Sequence, residues 1–123
     1  MLLKLDFLSN RASKGKQAEK LACEYLIKQG LSFLEKNYYC RQGEIDLIMN
    51  DNNTLIFVEV RYRKNNHYGG AKESVTHKKQ KKLHTTALHY MQKHGHDRPA
   101  RFDVIAITGE HSQCSFEWIQ NAF

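Results

Sequence analysis

Two apolar runs separated by a short polar break constrain this chain more than any other stretch. They are Gly43-Glu44-Ile45-Asp46-Leu47-Ile48 and Leu55-Ile56-Phe57-Val58-Glu59-Val60-Arg61, with Asp51-Asn52-Asn53-Thr54 between them. Aliphatic and β-branched residues bounded by Asn and Asp predict a β-hairpin. With Asn52 and Asn53 as its two turn residues, Asp51 faces Thr54. Counting back along both strands then puts Asp46 opposite Glu59 and Glu44 opposite Arg61. Directly opposed residues have Cβ atoms about 4.5–5.5 Å apart on one face of a sheet. Two carboxylates so placed repel each other, so the pairing predicts a cation between them. Period-two alternation brings Arg61 to the same face as Glu59, giving two acids and a base together, with Glu44 as the expected partner of the arginine.

The rest of the composition bears on what that cluster meets. The chain has 123 residues, 41% hydrophobic and 26% charged, which predicts one globular domain over residues 1–123 rather than a disordered chain. Residues 1–12 are expected to form a loose N-terminal arm. A net charge of +6 favours a polyanionic partner, nucleic acid before an anionic membrane surface. Cys23, Cys40 and Cys114 are odd in number and scattered, with no CxxC pair. That argues against a zinc ribbon or a dithiol motif and fits a reducing, bacterial-type cytoplasm. Residues 1–7 are interrupted by Lys4 and Asp6 and are too short for a signal peptide or a span, so no membrane partner is expected. The histidines read as surface residues, since His84 and His89 do not share a helix face and no HExxH occurs. Gly69-Gly70 lacks the GK[ST] of a phosphate loop.

Taken in order, Ser13 is the expected N-cap of a helix running to about residue 29, stopped by Gly30. Ala18, Leu21, Ala22, Tyr25 and Leu26 recur at helical spacing. Glu19 lies at the edge of that stripe, either solvated or leaning towards the acidic hairpin. Residues 31–40 predict a first strand, turned by Arg41-Gln42-Gly43. After the hairpin, residues 62–70 form a basic loop, either a connector or a nucleic-acid contact, with Arg63 and Lys64 for phosphates. A second helix is predicted over 76–94, with Gln80, Leu83, Ala87, Tyr90 and Met91 inward and Gln80 capping the core edge. Lys78, Lys81 and Lys82 lie on its other side, a solvated face or a track for a nucleic-acid backbone. Residues 101–107 read as a buried strand and 114–119 as an edge strand. The order α-β-β-β-α-β-β predicts an α/β fold with a mixed central sheet flanked by helices.

Hydrolysis of a phosphodiester requires a cation at the scissile phosphate, an activated water, and positive charge to meet the charge that develops at phosphorus. Asp46 and Glu59 offer the hard oxygen ligands suited to Mg²⁺, and Arg61 a fixed positive charge that stays protonated. Gly15…Glu19…Tyr25-Leu26…Gly30, Asn37, Gly43-Glu44-Ile45-Asp46-Leu47-Ile48, Phe57-Val58-Glu59-Val60-Arg61-Tyr62-Arg63, Tyr68-Gly69, Lys79-Gln80, Ala87 and Arg101-Phe102-Asp103-Val104 together resemble the bacterial YraN-like family. That family is in turn similar to Holliday junction resolvases and the PD-(D/E)XK restriction-endonuclease-like superfamily.

The resemblance implies a restriction-endonuclease-like αβββαβ core, with Glu19 on the first helix, Asp46 on the second strand and Glu59-x-Arg61 on the third. It implies Mg²⁺, or Mn²⁺ in its place, held by Asp46 and Glu59, with Glu19 acting through a water. Arg61 departs from the superfamily, which has Lys there. The expectation is a Mg²⁺-dependent endonuclease-like protein acting on structured or branched DNA. Glu19, Asp46, Glu59 and Arg61 would form its catalytic set, and a homodimer would serve symmetric cutting of two strands. The alternative that Arg61 motivates is a non-catalytic nucleic-acid-binding module on a nuclease scaffold. A third reading, a protein-interaction domain, has the acids paired to Arg41, Arg61 or Arg101.

Overall fold

The computed structural model describes residues 11–64, 70–95, 97–110 and 113–123. The expected N-terminal arm falls almost wholly outside these residues, as do residues 65–69 of the basic loop. The elements are α1 (Arg11–Lys28), β1 (Ser32–Cys40), β2 (Gly43–Asp51), β3 (Thr54–Arg63), α2 (His77–His94), β4 (Ala100–Thr108) and β5 (Ser115–Ile119). A 3₁₀ turn at Lys72–Ser74 precedes α2. The helix starts earlier than predicted: Arg11 is already helical, so Ser13 lies inside α1 rather than capping it. Its end is as predicted. Gly30 has φ 107°, the Gly30 N–H donates to Ile27 O and the Leu31 N–H to Leu26 O, which satisfies the last carbonyls in a Schellman arrangement.

The five strands form one mixed sheet in the order β1-β2-β3-β4-β5. Only β3 and β4 run parallel, joined through α2 as a β-α-β unit. The hairpin turn is the one the sequence predicts. Asn52 and Asn53 have φ of 47° and 73°, the left-handed pair of a type I′ turn, and Asp51 pairs with Thr54.

Each face of the sheet carries one helix. Ala18, Ala22 and Leu26 of α1 pack with Leu47, Met49, Ile56 and Val58. Leu83, Ala87 and Tyr90 of α2 pack on the other face with Ile45, Ile48, Phe57 and Phe102. Thr76 caps α2, its hydroxyl accepting the Lys79 N–H at 3.1 Å, and the Gln80 side chain donates to Val75 O, the core-edge role expected of it. Among the described residues no helix is long and apolar enough to cross a membrane.

One acid within this core is structural. Asp103 is fully buried on β4 and accepts hydrogen bonds from Arg101 Nε and Nη2, from Trp118 Nε1 and from the Asn121 N–H. Every lone pair that matters is therefore used, which is the condition for keeping a charge buried. Asp103→Ala strands Arg101 and should cost about 3–5 kcal/mol, read as a lower midpoint in urea unfolding. An unchanged midpoint would contradict this role.

Candidate metal centre

The β2–β3 register follows the predicted count from Asp51↔Thr54 to Leu47↔Val58, and there the ladder stops. The next pair, Asp46 and Glu59, is not part of it. Instead an Asp46 carboxylate oxygen accepts the Val60 N–H at 2.8 Å, a main-chain donor lying past the end of the ladder. The main-chain ladder thus opens at this pair, with one carboxylate anchored in the break and the two carboxyls still side by side, as expected.

The neighbouring strand is irregular at the same position. Asn37 of β1 falls between the pairs Lys36↔Leu47 and Tyr38↔Ile45, directly across from Asp46. Its φ is 51°, uncommon for a non-glycine residue in the middle of a strand. Side-chain alternation breaks here on β2: Leu47 packs with α1, yet Ile45, two residues away, packs with α2. The local backbone is turned so that Asp46 sits within reach of both helices. On the α1 side, Asn37 Nδ2 donates to Glu19 Oε1 at 2.9 Å. On the α2 side, Lys79 Nζ lies 3.7 Å from Glu59 Oε2.

Glu59 is 5% exposed. Its Oε2 meets two cations, Lys79 and Arg61, the latter at 3.4 Å, while its Oε1 is buried without a hydrogen-bond partner. Arg61 is therefore held by Glu59 on its own strand. Glu44, its expected partner, is exposed and pairs across β1 with Tyr39. Burial pushes the Asp46 carboxyl up to about 8, reinforced by the negative charge of Glu59 and opposed by the Val60 hydrogen bond. Glu59 is raised as well, by burial first, against the pull of Lys79 and Arg61.

The remaining sequence-predicted residues are spread more widely. Arg63 is half-buried at the end of β3, and Lys64 is exposed, 3.9 Å from Glu110. Lys78, Lys81 and Lys82 are exposed on α2. Arg101 serves Asp103 and Asp51 rather than the acid pair. Two residues that sequence reasoning gave no role belong to the site, Asn37 and Lys79. Helical spacing carried the signal for Lys79, which is four residues before buried Leu83 and so at the edge of the inward stripe. Nothing in the sequence marked the backbone of Asn37.

Among the described residues no three His, Cys, Asp or Glu side chains converge on one point as a preformed metal cage. Two carboxylates do, and one of their oxygens lacks a partner. This donor set suits Mg²⁺, which binds through one or two carboxylates and fills its other positions with water and substrate phosphate.

A five-stranded mixed sheet covered by one helix on each face, with this acidic opening beside its second and third strands, is compatible with a restriction-endonuclease-like core. The chain belongs to the Uncharacterised protein family UPF0102, the YraN-like family, whose family model matches residues 18–107. It is 52% identical over 111 residues to a UPF0102 protein of Psychromonas ingrahamii, spanning 90% of this chain and 89% of that protein. It is 48% identical over 112 residues to one from Nitrosococcus oceani, spanning 89% and 90%. A third, from Alcanivorax borkumensis, is 47% identical over 122 residues, 97% and 98% of the two chains.

The raised Asp46 carboxyl has a consequence for stability. Between the ordinary aspartate value and about 8, the folded chain holds a proton that the unfolded chain releases, so stability falls as pH rises through that window. Thermal melts of the metal-free protein should therefore drop from pH 5 to pH 8. Asp46→Asn should flatten the drop and melt higher than the parent at pH 8. Superimposable pH profiles would contradict the raised carboxyl of Asp46.

Proposed function

We propose that the protein is a Mg²⁺-dependent endonuclease-like phosphodiesterase acting on structured or branched DNA. The observation that carries this reading is the asymmetry of Glu59. One of its oxygens is met by two cations, while the other is buried with no cation or N–H donor on it, in a carboxyl that lies against that of Asp46. A buried acceptor left unpaired costs roughly 1–3 kcal/mol, and a cation between Glu59 and Asp46 would remove that cost.

Asp46 and Glu59 would hold Mg²⁺. When bound, it supplies charge neutralisation at the scissile phosphate and a more acidic water. Val60 fixes Asp46 through the 2.8 Å hydrogen bond, so the ligand needs no ordering when the site fills. Glu19, fixed by Asn37, orients the attacking water. Arg61 meets the charge developing on the phosphate with a group that cannot lose its proton. Lys79 reaches the same carboxylate from α2 and supplies the compact ammonium that the superfamily places at position 61. Arg63, Lys64, Lys78, Lys81 and Lys82 would hold the backbone by releasing counterions, and a homodimer would present two such sites to a branched substrate.

The pairing of Glu59 with both Arg61 and Lys79 also favours the second reading, a non-catalytic nucleic-acid-binding module. In that case the cations compensate the buried acid and no metal is needed. Nicking of a branched duplex separates the two. On the first reading, cleavage requires Mg²⁺ or Mn²⁺ and disappears in Asp46→Ala and Glu59→Ala proteins that still fold. Lys79→Ala should slow it about 10²-fold, in the range of other lost electrostatic groups, against little change for Lys78→Ala. Absence of cleavage on any DNA or RNA form, with binding that strengthens when the acids are removed, would establish the second.

A further inference from the structure

A cleft of about 610 Å³ opens between α1 and the edge strand β1, and the acid site does not account for it. Its lining includes Lys16, Lys20, Phe33, Lys36, Glu19 and Asn37. Of the charged residues in the lining, three are lysines and Glu19 alone is negative. The hydrogen-bonded pair Glu19 and Asn37 belongs to the lining, and Asn37 lies across from Asp46 in the sheet, so the cleft adjoins the acid site.

The lining is specifically arranged. Lys16 and Lys20 are one turn apart on α1 and share a helix face. On β1, Phe33 pairs with Met49 and Lys36 with Leu47, and both partners lie on the α1 face of the sheet. Residues three apart on a regular strand point to opposite faces. They share one here because the register shifts between Phe33 and Glu35, with Leu34 as the extra residue of a bulge. The bulge therefore places an aromatic ring and a lysine together beneath the two lysines of α1. Phe33 is 43% exposed, unusual for a side chain on the face that packs the core.

A basic groove that also offers an aromatic face matches the chemistry of an unpaired strand, whose phosphates need cations and whose bases need a stacking surface. A duplex presents its phosphates and keeps its base faces stacked. We propose that this cleft binds a single-stranded DNA segment leading away from the scissile phosphate. Its phosphates lie on Lys16, Lys20 and Lys36, and one base stacks on Phe33. This deepens the nucleic-acid reading above and rests on it. It narrows the substrate to DNA in which an unpaired arm meets the cutting site.

The test is fluorescence anisotropy in EDTA with a labelled oligothymidine of about 12 nucleotides, where no cleavage takes place. Replacing Lys16, Lys20 and Lys36 together by Ala should reduce the slope of log K against log salt by about 2, from roughly 0.7 per single-strand contact. Phe33→Ala should weaken binding about tenfold, Phe33→Tyr should restore it, and binding of a blunt duplex should be indifferent to either change. Parental binding by both the triple-lysine and the Phe33→Ala proteins would overturn the proposal, as would equal loss of duplex and single-strand binding in Phe33→Ala. Strand binding that depends on these residues, in a protein that cuts nothing with Mg²⁺, would remove the hydrolysis and keep the cleft. Cleavage without such binding would do the reverse.

Discussion

The β2–β3 ladder ends one pair before Asp46 and Glu59, and the acid site depends on that ending. Had the ladder continued, the two acids would have been fixed by main-chain pairing. Because it stops, Asp46 takes a main-chain donor of β3 onto its own carboxylate, which stays beside that of Glu59. The turned backbone of Asn37 sits across from this point and connects the opening to Glu19 on α1. Thr76 caps α2 at the Lys79 N–H, which sets Lys79 over the same opening from the other face. The sheet thus serves as a rigid frame, and each helix delivers one polar group to its gap.

The buried acids divide into two kinds by how their oxygens are satisfied. Asp103 has donors on both oxygens and holds β4, β5 and the C-terminal turn together. Glu59 is buried and Asp46 partly so, both with fewer donors than they need, and their carboxyls are pushed up accordingly. A protein that keeps such a pair forgoes stability that an apolar pair would supply. Perturbed carboxyls gathered at one opening are a pattern of functional sites more than of structural ones. The paired positive groups on Glu59 moderate the cost without removing it, because both address the same oxygen.

Much of the fold was legible because it rests on local chemistry. The Asn52-Asn53 turn set the register of β2 and β3, the apolar stripe of α1 showed its buried face, and Gly30 marked its end. What escaped was decided by contacts between elements. Counting from the turn could not reveal that pairing would stop at Leu47, a break that coincides with the irregular backbone of Asn37 on β1. The same count gave Arg61 the wrong partner, because a ladder that has ended no longer brings Glu44 to it. Lys79 was hidden within a run of lysines that the eye assigns to solvent, although its distance from Leu83 placed it at the inner edge. The bulge at Leu34 left no signature in composition, yet it decides which β1 side chains reach the cleft.

The central claim is that Asp46 and Glu59 form a divalent-cation site. Crystals soaked in Mn²⁺ and measured at its absorption edge test this most directly. The account predicts an anomalous peak bonded to a carboxylate oxygen of each residue, with Glu59 Oε1 as the oxygen contributed by Glu59. No peak between them at saturating Mn²⁺, or a peak elsewhere with Arg61 and Lys79 still closing on Glu59, would contradict it.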